Sequence, residues 1–153
     1  LARENPGLNF LGVDIKYKRV VKSLRRGKRE GLNNLRVMIA DGMDLLEALR
    51  DETLQGCLVF YPDPWHKKRQ QRKRLLTDLF VEELERVLVP GGFVWLKTDH
   101  TDYFEVMRQR MAKSSLREVS SIAPYLADKP YPTFFETLFS GMGKPANSLI
   151  CTR

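Results

Sequence analysis

The stretch LLTDLFVEELERVLVPGGFVWLK, residues 75–97, passes from a helical to a strand-like pattern in one sweep. Leu75, Leu76, Leu79, Phe80, Leu84, Val87 and Leu88 recur with the period of an amphipathic helix. Pro90-Gly91-Gly92 stops that helix, and Phe93–Lys97 reads as a buried strand. The same alternation runs outward on both sides. Upstream, Asn9–Ile15 is a short apolar strand after an Asn-Pro-Gly turn. Tyr17–Arg29 is a helix with Tyr17, Val20, Val21 and Leu24 on one face, ended by Gly31 and Asn33-Asn34. Leu35–Ala40 is a second strand, Asp44–Leu49 a short helix with Asp44 as its N-cap, and Gly56–Tyr61 a third strand. Downstream, Asp102–Lys113 is helical. Arg117–Ile122 and Ser148–Thr152 are late strands, joined by a proline-rich loop with an element near Phe134 to Phe139. Alternating strands and helices predict an α/β protein with a doubly wound, mostly parallel sheet. The 153 residues contain no repeat, low-complexity tract or linker, so residues 1–153 are expected to form one domain.

No apolar run reaches the roughly 18 residues that span a bilayer, and the start, LARENPGLNF, has no secretory pattern. Cys57 and Cys151 sit in apolar strand-like stretches and read as buried thiols, which points to the cytoplasm and away from a disulfide or metal pair. The net charge of +7 is concentrated. Lys16 to Arg29 holds eight cations and no acid, and His66 to Arg74 holds six. Such clusters suit a polyanion, because each phosphate contact releases counterions. A solvated helix face or a membrane-surface patch is the blander alternative.

Four acids close the strands: Asp14 ends the first, Asp41 follows the second, Asp63 follows the third after Tyr61-Pro62, and Asp99 closes the fourth. Ligands of open α/β sheets bind outside the carboxyl ends of the strands, so these carboxylates are expected to converge on one crevice. Carboxylates accept hydrogen bonds and suit hydroxyls, exocyclic amines and ring N–H groups. Asp14 could instead cap the next helix, Asp41 serve a turn, and Asp99 belong to a helix entry. Asp63 is harder to dismiss, because prolines flank it and Trp65 follows. A stiff loop with a carboxylate and an aromatic plane fits an extruded base, held by in-plane hydrogen bonds and stacking. Guanine sharpens the match: its N1–H and N2 amine form a donor pair, and its N7 carries an in-plane lone pair that needs no deprotonation. No Ser-His-Asp set or metal cluster is needed. His66 and His100 are read as unpaired, the first a loop contact at most and the second a surface residue.

Tyr61-Pro-Asp-Pro-Trp-His-Lys-Lys-Arg69, followed by Arg72-Lys-Arg74, resembles the signature of the bacterial tRNA (guanine-N7-)-methyltransferases, a Rossmann-like class I family that uses S-adenosyl-L-methionine. Asn9-Phe-Leu-Gly-Val-Asp14, Pro90-Gly-Gly-Phe with Lys97-Thr-Asp99, and Thr133-Phe-Phe-Glu136 fall in the family's order, so the resemblance covers essentially the whole chain. It implies methyl transfer to N7 of a variable-loop guanine (guanine-46) in tRNA. It implies that Asp14 binds the cofactor ribose, Asp41 lies near the adenine, and Asp63 is the catalytic residue, beside both cofactor and guanine. Trp65 and Lys67 would contact substrate, and Arg69, Arg72, Lys73 and Arg74 the tRNA backbone; Asp99, Thr133 and Glu136 would complete the pocket. The family more often carries Glu where Asp14 stands.

The protein is further expected to be a cytoplasmic monomer or homodimer with no membrane association and no metal, and the resemblance implies no obligatory protein partner. Against the family's pattern the chain is expected to be N-terminally incomplete, lacking the first strand, the acid that ends it and the glycine-rich loop, since Leu1–Gly7 looks like the tail of the helix that follows that loop. This polypeptide by itself is therefore expected to bind cofactor weakly or not at all. Three alternatives remain at this point. One is a class I methyltransferase for another RNA or for a protein, and one is a cofactor-poor RNA-binding scaffold derived from such an enzyme. The third, a nucleotide-dependent dehydrogenase, would use Asp14 similarly but gives no reason for Asp63-Pro64-Trp65.

Overall fold

The computed structural model describes residues 1–121, 126, 131–141 and 146–153. Ile122 and most of the proline-rich loop after it lie outside the described residues. The chain divides into two compact units, Leu1–Ala48 and Leu49–Arg153.

The first unit is a strand–helix–strand crossover followed by a short helix: β1 (Phe10–Val13), α1 (Tyr17–Arg29), β2 (Leu35–Met38) and α2 (Gly42–Ala48). β1 and β2 pair in parallel, from Phe10 opposite Leu35 to Val13 opposite Met38. α1 runs over the predicted residues, and its end is set by backbone geometry. Gly31 takes a φ of 65°, its N–H reaches the Lys28 carbonyl, and the Leu32 N–H reaches that of Gly27. This reciprocal pair closes a helix at a left-handed glycine. The Asn34 amide donates to the carbonyls of Ala2, Asn5 and Leu8, which ties the leading segment to the start of β2. α2 begins at Gly42, so Asp44 lies within its first turn, and the expected N-cap moves back to Asp41.

The second unit holds β3 (Leu54–Phe60), α3 (Asp78–Val87), β4 (Leu88–Thr98), α4 (Thr101–Ala112), β5 (Arg117–Val119), α5 (Phe134–Ser140) and β6 (Asn147–Thr152). A 3-10 stretch, Lys68–Lys73, lies between β3 and α3. The sheet order is β3-β4-β6-β5, with β3 and β4 parallel and the two late strands antiparallel. β4 is central and buried from Gly92 to Thr98. Leu76, Phe80, Leu84 and Val87 on one side of the chain, and Tyr103, Met107 and Met111 from α4, are buried in the core.

Two expectations about the deciding stretch change. The helix begins at Asp78, because the Thr77 hydroxyl accepts the Phe80 N–H and caps it. Leu76 is fully buried without being helical, and Leu79 is half exposed. Pro90-Gly91-Gly92 does not precede the strand but bulges out of it. Leu88 already pairs with Leu54, and the register resumes at Phe93 opposite Gly56. Gly91 takes a φ of 76°, and a Cβ on Gly92 would meet the Val89 carbonyl oxygen at 2.8 Å, so both glycines are required by the backbone. Among the described residues, no helix is long and apolar enough to cross a membrane.

Candidate functional site

In the first unit, Asp14 and Asp41 both follow the carboxyl ends of adjacent parallel strands. The Asp14 N–H still reaches the Met38 carbonyl, at 3.4 Å. One Asp14 oxygen accepts the Lys16 N–H at 2.7 Å, and the other pairs with the Arg19 guanidinium at 3.3 Å. One Asp41 oxygen accepts the Met43 N–H at 2.8 Å, which makes Asp41 the N-cap of α2. Each carboxylate has about four acceptor directions, so both keep capacity for a hydroxyl or an amine.

In the second unit, β3 ends in a constrained loop. The Tyr61 N–H donates to the Lys97 carbonyl at 2.7 Å, one rung beyond the last strand pair. Tyr61 then takes a φ of 53° and Trp65 a φ of 43°. For side chains of this size the left-handed region costs about 1–2 kcal/mol each. Between them, Pro62 and Pro64 fix their own φ and leave the loop few conformations. Asp63 is thereby held outward; it is exposed and makes no hydrogen bond or ion pair among the described residues. Asp99, the residue after β4, is exposed as well.

Burial pushes the Tyr61 phenol above its ordinary pKa, and the charges of Glu136 and Asp99 push it the same way. Tyr61, Asp99, Thr133 and Glu136 are thus brought together at the carboxyl ends of β3 and β4. The Tyr61 hydroxyl is buried near Thr133 but completes no well-formed hydrogen bond among the described residues. Its ring lies 5.1 Å from that of Phe135.

Thr133 and Glu136 form a reciprocal cap on α5. The Glu136 N–H donates to the Thr133 hydroxyl at 3.1 Å, and the Thr133 N–H to the Glu136 carboxylate at 2.6 Å. The second Glu136 oxygen accepts from the Lys97 ammonium at 2.8 Å. Lys97 projects from the buried carboxyl end of β4, and its Nζ also reaches the Tyr131 carbonyl and lies 4.2 Å from the Trp95 ring centroid. Burial raises the Glu136 carboxyl, but the ammonium and the Thr133 donors outweigh it and hold the group below its ordinary pKa.

The cationic run is not uniform. Lys67, Lys68, Arg69, Arg72 and Lys73 are exposed. Lys73 sits over the Trp65 ring at 5.2 Å. Arg74 turns inward: its Nε donates to the Pro64 carbonyl at 2.7 Å, and its guanidinium lies 4.6 Å from the Tyr103 ring centroid. The Tyr103 hydroxyl in turn accepts the Leu76 N–H. Arg74 therefore straps the Asp63-Pro64-Trp65 loop to α4.

The histidines are a correction to the sequence reading. His66 Nδ1 and His100 Nε2 are 3.0 Å apart, and the rings lie 4.7 Å apart. His100 Nδ1 accepts the Tyr103 N–H and caps α4. With a separation of 34 residues, no spacing signal could have revealed this pair. Tyr61 and Lys97 were present in the quoted motifs but had been given no task of their own. Their burial depends on the sheet register, which the sequence does not display. Among the described residues, no group of three His, Cys, Asp or Glu could hold a metal ion. A hollow of about 470 Å³ between α4, β5 and β6, lined by Glu105, Arg108, Met111, Leu116 and Glu118, contains none of the candidate residues.

A family model described as a putative methyltransferase matches residues 1–148. The chain is 34% identical over 146 residues to a tRNA (guanine-N(7)-)-methyltransferase of Rubrobacter xylanophilus, covering 94% of this chain and 66% of that protein. It is 42% identical over 108 residues to the protein of the same name from Nitrosococcus oceani, covering 70% and 46%. The chain thus spans about half to two thirds of the length of these curated relatives. A solved SAM-dependent methyltransferase from Aquifex aeolicus superposes with a TM-score of 0.59 at 12% identity, covering 94% of this chain and 68% of that one. The likeness establishes the Rossmann-like α/β fold of class I methyltransferases.

Proposed function

The chain belongs to the putative methyltransferase family that its residues 1–148 match, and on that footing we propose that the protein methylates N7 of a guanine in tRNA, at the variable-loop position 46. The observation that carries this reading is the Tyr61–Trp65 loop. A free carboxylate is held outward between two prolines, and left-handed aromatics bracket it. Curated relatives bearing the tRNA (guanine-N(7)-)-methyltransferase name support the same substrate.

S-adenosyl-L-methionine would supply a methyl group made electrophilic by its sulfonium. Asp14 and Asp41 fit its hydroxyls and amine, since each retains acceptor capacity after its local bonds. The Asp63 carboxylate accepts from guanine N1–H and the N2 amine, which orients N7 and offsets the positive charge the ring acquires. N7 uses its own lone pair, so no residue has to remove a proton. Trp65 supplies a stacking plane, and Lys67, Arg69, Arg72 and Lys73 meet the tRNA phosphates.

The test is to incubate the full-length protein with unmodified tRNA and labelled S-adenosyl-L-methionine, then probe for chain scission after borohydride and aniline. Scission at a variable-loop guanine is expected. Asp63→Ala should abolish it while leaving tRNA affinity within about twofold; near-normal turnover in that variant would remove Asp63 from the reaction centre.

A further inference from the structure

Helix α1 carries a surface that this chemistry leaves unused. At 100° per residue, Lys18, Lys22, Arg25 and Arg29 fall within an arc of about 60°. The arc lies opposite Val20 and Gly27, the helix's buried residues. A Cβ on Gly27 would stand 3.1 Å from Leu35 Cδ2, so that face is fixed against β2. All four cations are exposed and form no ion pair among the described residues. Two other cations of the helix are engaged instead: Arg19 pairs with Asp14, and Arg26 with Glu30.

This stripe costs the helix stability. Lys18–Lys22 and Arg25–Arg29 are like-charge i,i+4 pairs, each unfavourable by some tenths of a kcal/mol. Lys18 also stands in the first turn, where the helix dipole disfavours a cation, and α1 contains no acid to offset either effect. The stripe is about 16 Å long at 1.5 Å per residue. A nucleic-acid duplex presents a phosphate every ~3 Å of axis on each strand, so a stripe of this length faces several.

We propose that the Lys18–Lys22–Arg25–Arg29 stripe is a second, sequence-independent docking surface for the phosphate backbone of the RNA substrate, a reading that rests on the tRNA assignment above. An anionic membrane is the weaker occupant. The exposed apolar residues of α1, Tyr17 and Leu24, lie roughly 120° around the helix from the centre of the stripe, so seating them in lipid would turn the stripe aside.

The experiment uses the full-length protein with all four residues changed to Gln, and with the pair Lys22→Gln and Arg25→Gln alone. The affinity for unmodified tRNA should fall at least tenfold at low salt in the fourfold variant. Its log K against log salt should become shallower by about three, at 0.7–0.9 per lost contact. The double variant should show half that change, with melting temperatures equal to or above the parent because repulsion is relieved. An unchanged slope would overturn the proposal. So would retained tRNA affinity with lost binding to phosphatidylserine vesicles, which would make the stripe a membrane contact. If the parent fails to methylate tRNA and the slope still falls, the docking surface stands and the enzymatic reading fails. If it methylates and the slope is unchanged, the docking surface alone fails.

Discussion

At the scale of single residues, direction matters as much as charge. Arg74 and Arg72 belong to one basic run, yet Arg74 is spent on the Pro64 carbonyl and the Tyr103 ring while Arg72 is exposed. A charge-assisted hydrogen bond and a stacked guanidinium together are worth about 2 kcal/mol. Arg74→Ala should therefore lower the urea midpoint by about that equivalent and leave the salt slope of RNA binding unchanged, whereas Arg72→Ala should do the reverse. A slope loss in the Arg74 variant without destabilisation would return that residue to the RNA surface. Composition revealed the run but not the inward turn of its last member. A cation count registers valence, and orientation comes from where the 3-10 stretch delivers each side chain.

At the scale of elements, α5 and β4 depend on one another. Glu136 closes the cap with Thr133 and neutralises Lys97, whose side chain is almost completely buried. Removing one partner of a buried pair leaves an uncompensated charge and costs about 3–5 kcal/mol. Glu136→Gln keeps an acceptor for the cap and loses the countercharge, so it should destabilise the protein by about 3 kcal/mol. Thr133→Ala removes only the hydroxyl of the cap and should cost about 1 kcal/mol. Equal effects in denaturant titrations would mean that the pair contributes nothing beyond the cap. The Thr-x-x-Glu spacing of a capping box was visible in the sequence, but its second role needed Lys97 to be in reach. Elements with a sharp stop were readable to the residue, as α1 was from Gly31. The start of α3 was not, because apolar Leu75 and Leu76 fit an extended segment as well as a helix, and the Thr77 cap decides between them.

For the molecule as a whole, pH should erode stability at both ends. Burial pushes the Cys57 thiol up to about 12 and the Cys151 thiol up to about 11, and it raises Tyr61 and Tyr103 as well. Cys57 as a residue is only half-buried, so the shift belongs to its thiol rather than to the residue surface. The folded state keeps these protons longer than the unfolded state, whose thiols ionise from about 9, so stability is full below that pH and falls above it. The Arg26 and Arg3 guanidiniums hold Glu30 down at about 2, and Glu136 is lowered too. At the acid end stability is therefore full above the ordinary carboxylate value and is lost as pH falls toward 2. Urea midpoints measured from pH 2 to 11 should trace that plateau, with both thiols slow to alkylate at pH 8; a flat alkaline limb with fast alkylation would contradict it. The cysteines also flank Val94 from opposite sides in one row of the sheet, Cys57 on β3 and Cys151 on β6. Two strand spacings, about 10 Å, separate their Cα atoms, beyond the span of a disulfide. The histidine pair carries a last consequence, for polarity. Since the backbone of α4 gives its hydrogen to His100 Nδ1, that ring must carry its own on Nε2 and pass it to His66 Nδ1. The proton order is thus dictated from the helix outward, and the outermost nitrogen of His66 is left able only to give. Whatever meets the loop there meets a donor, which an oxygen of phosphate or ribose can answer and an amine hydrogen cannot.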